Sequence, residues 1–484
     1  MKTTKLYIFF TLLLILWALP SHAQIVTEIN YHNKYYHIPN TVCQSFDGSI
    51  LVECTVSQNE TIFGSRLLKF NRLGNCTDSL LIDDEALVKS FIFSNPTSDV
   101  VASIMCADNN VSVRIRHLDE HLSIIGQTDV LLPVQWSGLY SERFFIDKNN
   151  DLIIAINNTQ RQDYRLARIS TDGNLIDFVE VTRFEQLKVT FAGTPFFHYS
   201  ESPLQYGFIA MPTQGSNTSP HLFILDSLFN IVSEHPIATI NGANVNYSNM
   251  QAVARLNNDE WLYSCRMGLQ SDGEFYNQLT KFDNQLNYQA DFQIHNEGTQ
   301  GNSTSYPIPE GSVKVTQNGT IFHACMDYLM FFPGYLNISC LNPDLTLRWQ
   351  YRYPDEPETP YGLNMCVLDD GTAVVCGYSR DDENGNYDMF LLLLENEGES
   401  ITESENDIKV ELYPNPGTNV LTIKTTLPNS KIEIYDLTGK LVYYAEISHN
   451  AISINAESWP SGTYIWKVIS NGKLAESGKW LKSH

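Results

Sequence analysis

Residues 143–176 read RFFIDKNNDLIIAINNTQRQDYRLARISTDGNLI. Two apolar stretches of strand character, Leu152–Ile156 and Tyr164–Ile169, are each flanked by a polar turn, first Asn149-Asn150 and then Asp172-Gly173. Asn-Asn, Asp-Gly and Asn-Gly pairs supply the positive φ that two-residue hairpin loops require, so the stretch reads as consecutive antiparallel hairpins. The second turn follows a large apolar residue, Ile169, and that anchor recurs along the chain. Phe70-Asn71-Arg72-Leu73-Gly74, Leu118-Asp119-Glu120-His121-Leu122 and Leu225-Asp226-Ser227-Leu228-Phe229 repeat it. Phe282-Asp283, Leu341-Asn342 and Leu394-Glu395 open three more copies. The interval is about 50–60 residues, a period typical of propeller or solenoid repeats. Upstream hairpins accompany the anchors, as in QSFDGSILVEC, QAVARLNNDEWLYSC, SVKVTQNGTIFHAC and NMCVLDDGTAVVCG.

Two hairpins per repeat make four antiparallel strands, and seven such units predict a seven-bladed β-propeller, in which radial closure protects sheet edges. Six or eight units stay open, because 195–236 is the least regular stretch. Residues 25–37 are rich in strand formers and are placed to complete the last unit. No Trp-Asp or paired-Gly signature is present. Asn386-Tyr387-Asp388-Met389-Phe390-Leu391 is loosely similar to repeats of secreted bacterial β-propellers.

Composition limits the partners. The 484 residues are 43% hydrophobic and 18% charged, as in ordinary globular proteins, with a net charge of -24. Such a surface repels phosphate backbones and anionic membranes, which excludes nucleic acid as a partner. The ends differ from the middle. Lys2 and Lys5 precede an apolar stretch, Tyr7 to Leu19, and Ser21-His22-Ala23 offers a signal-peptidase site, so residues 1–23 read as a signal peptide cut between Ala23 and Gln24. That stretch is too short to span a membrane, and no later run predicts a transmembrane helix. Residues 395–407, ENEGESITESEND, hold six acids and no base and read as a solvated linker. Residues 24–394 carry -22 by themselves, so the acidity lies in the repeats.

Residues 408–484 change to short strands and turns, enough for a small immunoglobulin-like β-sandwich. Five ordered elements stand out: Tyr413-Pro414-Asn415-Pro416, Leu421-Thr422-Ile423, Ile434 to Lys440 with Asp436 and Gly439, Gly462-Thr463-Tyr464, and Gly478-Lys479-Trp480. Together they resemble the type A C-terminal sorting domain of the type IX secretion system of Bacteroidota. The resemblance implies export across the outer membrane to the cell surface or the medium. It implies the type IX machinery and its sortase as partners, and it says nothing of the cargo.

Strand order also predicts a face. First-to-second and third-to-fourth connections are short turns, whereas longer segments fall on the other side. Those segments are 131–142, 191–200, 295–311, 327–335, 352–363 and 378–388. Function tends to ride on long loops held by a rigid scaffold. They carry Trp136, Tyr140, Phe197, Tyr306, Phe332 and Tyr361, read as a rim of exposed rings suited to stacking on a glycan or peptide. Packing of the loops against one another is the competing reading.

Motifs for chemistry are weak. His117-Leu118-Asp119-Glu120-His121 matches an inverted zinc-peptidase pattern, but that chemistry needs a helix, and the stretch is a repeat anchor. Ser379 lacks the flanking glycine of a nucleophile elbow, and Asp381 to Asp388 fails as a standard calcium loop because Arg380 falls at its first position. No catalytic, metal or cofactor site is therefore assigned. Glu142, Asp327 and Glu358 are where a carboxylate pair for glycoside chemistry would sit. Nine cysteines leave at least one thiol unpaired, with Cys43–Cys54 and Cys366–Cys376 placed to bridge. Cys54, Cys106, Cys265, Cys325 and Cys376 recur at one repeat position, as small buried residues near the axis would. The whole reads as an exported binding or interaction module. An enzyme on the same face and a structural envelope component are the alternatives.

Overall fold

The computed structural model describes residues 26–395 and 410–483, apart from 32–35, 59–60, 85–86, 213–218, 241, 246–250, 258, 269–274, 295–302, 309–310, 330–331, 359, 382–385, 414–416, 426–429, 437–439, 448–450 and 471–472. The signal peptide with Ala23 and Gln24, nearly all of the acidic linker, Pro414 to Pro416 and Gly439 lie outside them. The chain divides into two compact units, Met1–Glu397 and Gly398–His484.

Among its described residues, the first unit is all-β but for one short helix, Thr182–Leu187. Its strands form four-stranded antiparallel meanders in chain order. The first comprises Tyr36–Gln44, Ile50–Gln58, Thr61–Phe70 and Cys76–Ile82; the second runs from Leu87 to Gln135 and the third from Leu139 to Glu180. Three more, at 190–236, 252–294 and 313–358, are joined into one fifteen-stranded network by parallel contacts such as Thr194 with Ala252 and Phe275 with Thr304. The last sheet takes Pro360–Val367, Ala373–Asp381 and Asn386–Leu394 from the end of the unit and Val26–Tyr31 from its beginning. Val26 faces Leu394 and Tyr31 faces Met389 across that ladder, so the first described strand completes the last sheet.

Burial explains the strand order. Second strands such as Ser98–Ala107 and Leu152–Asn158 are covered on both faces and read as nearly unbroken apolar runs, whereas fourth strands such as Cys76–Ile82 and Ile124–Gln135 are largely exposed. Each sheet shares a core with the next. Ile104 and Val113 meet Ile154 and Ile156, and Ala155 and Leu166 meet Phe208 and Phe223. The final sheet returns to the first, with Val374, Cys376 and Leu391 packed with Val52, Cys54 and Leu68. Each Val, Leu, Ile or Phe side chain among them, fully buried, contributes about 1.5–3 kcal/mol.

The turns differ from the two-residue loops read from the sequence. Ser45–Ser49, Asp147–Asp151, Ser170–Asn174, Thr316–Thr320 and Leu368–Thr372 are each closed by two backbone hydrogen bonds, with the fourth residue left-handed. This is the longer hairpin loop that ends in a bulge. Glycine or asparagine fits there, as at Gly48, Asn150 and Gly173 (φ 86°, 62° and 84°). Leu122, Phe229, Leu286 and Leu345 hold the same conformation with φ of 57–68°. Bulky side chains avoid this region, and here Leu122, Phe229 and Leu345 are pinned by burial in the cores.

The second unit has two antiparallel sheets, Val410–Tyr413/Val420–Thr425/Ala451–Asn455 and Leu441–Glu446/Ser430–Tyr435/Gly462–Ser470/Lys473–Lys482. Leu421, Ile423, Ile434, Val468 and Trp480 make the core between them.

All nine cysteines are free thiols, which corrects the two bridges placed within hairpins. Cys43 stands opposite Leu51, and Cys54 lies three residues beyond Leu51, on the other face of the sheet. Cys366 stands opposite Val374, two residues from Cys376, and such diagonal neighbours are about 7–8 Å apart, beyond ordinary disulfide reach. Cys54, Cys265, Cys325 and Cys376 are buried and Cys106 is half-buried.

Candidate functional site

In a meander, first-to-second and third-to-fourth connections share one end and second-to-third connections occupy the other. At that second end the described parts of the long segments prove to be mostly strand. Leu131 to Gln135 and Leu139 to Glu142 belong to strands, as do all of 191–200 and most of 352–363. Alternation within strands therefore decides which rings are accessible.

Tyr140 is 43% exposed, and the Arg161 guanidinium stacks on it 3.6 Å from the ring centroid. Trp136 is only 7% exposed, in the core between the second and third sheets, with Nε1 donating to Asp163 Oδ2 at 3.1 Å. Phe197 is 3% exposed and stacks on Trp261 at 5.2 Å. It also lies over Gly207, where an added Cβ would come within 2.1 Å of the ring. Trp136 and Phe197 are packing residues, not members of an exposed rim: Phe197 sits at an inward-facing strand position, and Trp136, just past the end of strand Ile124–Gln135, turns into the core. Tyr361 is half-buried and stacks on Tyr378 at 4.9 Å. Tyr306 and Phe332 lie on Ser303–Pro307 and Phe332–Leu341, and their side chains are outside the described set.

A second stacked pair joins Tyr140–Arg161. Arg352 lies 3.6 Å over the ring of Tyr335 and is 4.0 Å from Asp327 Oδ2, which also accepts a 2.6 Å hydrogen bond from Asn337 Nδ2. Register creates this cluster: Asp327 faces Tyr335 and Asn337 faces Arg352, so all four project from one face of the sheet. Of the three carboxylates singled out, Asp327 is buried here and Glu142 is half-buried on a different sheet; Glu358 lies outside the described side chains.

Elsewhere the buried charges are tied into the scaffold. Asp84 Oδ1 accepts from Arg114 at 2.7 Å and from Arg116 at 2.5 Å. Asp99 accepts from Ser45 Oγ at 2.7 Å, Ser94 Oγ at 2.5 Å and the Phe46 N–H at 3.1 Å. Glu53 accepts from Asn40 and Ser65. Asp147 accepts from the Tyr206 hydroxyl at 3.2 Å, and burial pushes that phenol upward. Burial works upward on Asp47 as well, but its 2.7 Å pair with Lys69 and turn hydrogen bonds outweigh it and hold the carboxyl at about 2.

His117 lies on strand Asn110–Leu118, between Ser98 Oγ at 3.0 Å and the Thr171 carbonyl at 2.9 Å, while Glu120 and His121 sit in an exposed turn. The three side chains therefore do not form a ligand set. A different, serine–histidine pair was invisible in the sequence: Ser264 Oγ and His323 Nε2 are 2.9 Å apart across two sheets, both fully buried. Burial lowers His323 to about 3, so the ring is neutral at ordinary pH. No linear spacing announces this pair.

In the second unit the Tyr464 hydroxyl donates to the Pro460 carbonyl at 2.7 Å, and Asp436 Oδ1 accepts the Lys440 N–H at 3.0 Å. Trp480 is fully buried, whereas neighbouring Lys479 is exposed; Gly478 continues the same strand, and Gly462 (φ 155°) opens the strand that pairs with it. Tyr413 ends strand Val410–Tyr413. Residues 411–482 match the family model of the secretion system C-terminal sorting domain. They are a type IX sorting tail, and a chain bearing one is exported across the outer membrane to the cell surface or extracellular space. No helix among the described residues is long and apolar enough to cross a membrane. Comparison with curated proteins finds no match.

Among solved structures, the chain is similar to the extracellular domain of a hybrid two-component system from B. thetaiotaomicron, with 11% identity and TM-score 0.42; 95% of this chain and 57% of that chain are covered. It is similar to the polysaccharide lyase Uly1, with 8% identity, TM-score 0.48, and 77% and 100% coverage. PorZ, a surface component of the type IX secretion system of Porphyromonas gingivalis, matches with 11% identity, TM-score 0.25, and 92% and 82% coverage.

Proposed function

We propose that residues 24–394 form a seven-bladed β-propeller that works outside the cell as a binding or interaction module. A signal peptide of residues 1–23 starts its export, and residues 408–484, tethered by 395–407, hand it to the type IX machinery and its sortase. The propeller reading is supported by successive four-stranded meanders whose cores run from each sheet to the next and back to the first. One observation carries the binding role. The buried acids that catalysis would recruit are engaged by scaffold donors, while Tyr140–Arg161 and Tyr335–Arg352 present stacked planar surfaces at the end opposite the tight turns. Such platforms suit sugar rings and peptide groups. A glycan and peptide array probed with the mature full chain tests this. Binding that weakens at least about tenfold in Tyr140→Ala or Arg352→Ala supports the reading, since hot-spot aromatics and arginines contribute on that scale. Cleavage of an array ligand would replace it with the enzyme.

A further inference from the structure

The interface between the sheets at 252–294 and 313–358 is apolar at one end, where Leu262, Leu279, Val313, Ile321 and Leu341 meet. Beyond them it turns polar. The Ser264–His323 hydrogen bond crosses it at 2.9 Å. Asn277 lies on the same face as Ser264, since Ser264 faces Leu279 and Arg266 faces Asn277 in register. Ser339 stands directly opposite His323. Asn277, His323 and Ser339 have no solvent exposure. Yet Asn277 Nδ2 and Oδ1, His323 Nδ1 and Ser339 Oγ make no hydrogen bond among the described residues.

Buried polar atoms are almost always satisfied, and several unsatisfied ones on neighbouring strands of one interface call for a partner that both donates and accepts. A neutral partner suits these groups: the ring of His323 is neutral, and Asp327 farther along the face is already engaged by Asn337. The half-buried Arg266 stands opposite Asn277 on the same face.

We propose that this polar end of the interface is a hydroxyl-binding site, with Asn277, Ser339 and His323 Nδ1 as its hydrogen-bonding groups. The hydroxyl comes from ordered water or from a sugar, and only the sugar arm rests on the ligand-binding reading above. A high-resolution crystal structure of the mature full chain, without and with soaked D-glucose, tests it. The expected result is an oxygen within about 3.2 Å of Asn277 and of His323 Nδ1. Retention of that oxygen after the soak assigns water, and its replacement by a ring hydroxyl assigns sugar. No oxygen there, with the Asn277 amide bonded to protein groups, overturns the site. Asn277→Leu gives an independent reading. Its melting temperature falls if the amide holds a hydroxyl and rises if the amide is idle, and Ser339→Ala serves if N277L fails to fold. An inactive glycan array leaves the water arm intact, so the two readings fail separately.

Discussion

Gln44 and Asp369 exchange hydrogen bonds: Gln44 Nε2 donates to Asp369 Oδ2 at 2.9 Å, and the Asp369 N–H donates to Gln44 Oε1 at 2.7 Å. Asn364 Nδ2 donates to the Asn40 carbonyl at 2.9 Å beside them. These contacts join the first sheet of the repeat unit to its last, and the strand Val26–Tyr31 completes that last sheet.

Closure therefore rests on a strand from the start of the chain. Ile29 faces Leu391 and packs on the core shared by the first and last sheets. Ile29→Asp places a charge there and is expected to cost about 2–4 kcal/mol, through lost burial and desolvation of the acid. Urea unfolding of the mature chain measures it, and Ile29→Val should cost no more than about 1.5 kcal/mol.

Acid should destabilise the repeat unit through His323. An unfolded histidine titrates near 6.5, whereas the buried ring does so at about 3. Between those values the unfolded chain binds a proton that the folded chain does not. The histidine's contribution is thus complete above about pH 6.5 and drains as pH falls towards about 3. Wild type should lose roughly 2 kcal/mol more than His323→Gln between pH 7 and 5, read from urea midpoints.

Asp47 acts at lower pH. Its carboxyl, held at about 2 chiefly by Lys69 against the upward pull of burial, stabilises the fold above the unfolded value near 4. That contribution is lost as pH falls from about 4 through 2. Asp47→Asn should flatten the acid limb of the stability curve in this window and lower stability at pH 7 by no more than about 1 kcal/mol, because solvent screens the exposed carboxylate.

Thiol reactivity should follow burial. Cys76 is exposed, Cys43 and Cys106 are half-buried, and the other six are buried, with burial pushing Cys366 up to about 12. Titration with a chromogenic disulfide reagent should modify Cys76 first in the native protein and all nine thiols in denaturant. Fewer than nine after unfolding would reveal a disulfide.

The sorting tail should fail as a folded unit. Trp480 is fully buried and packs on Tyr464 with ring centroids 5.8 Å apart. Trp480→Ala is expected to destabilise this unit by about 3–5 kcal/mol. Cell fractionation should then find the protein retained inside the outer membrane, while Lys479→Ala leaves the tail folded.

The anchors Phe70, Leu118, Ile169, Leu225, Phe282, Leu341 and Leu394 were legible because each ends or nearly ends an inner strand and is buried in a core. The family of the tail was legible for a related reason, since its motif residues cluster at turns and core pegs that keep a fixed order. The ring residues were not. Trp136 and Tyr140 are four residues apart, yet one fills a core and the other stacks with an arginine in solvent, because a short break between strands separates them. Composition gave no means of telling them apart.

By itself the sequence determined the strand-and-turn repeat, the acidic character of the middle and the address at the C-terminal end. All three are local properties, written in period, charge and short motifs. The sequence also placed residues 25–37 in the last unit, and tertiary structure supplied the register by which Val26–Tyr31 closes it. Tertiary structure alone decided that Cys43 and Cys54 face apart, and that Ser264 meets His323. Those outcomes depend on register and on which sheets become neighbours, and a one-residue shift in register would send each side chain to the opposite face.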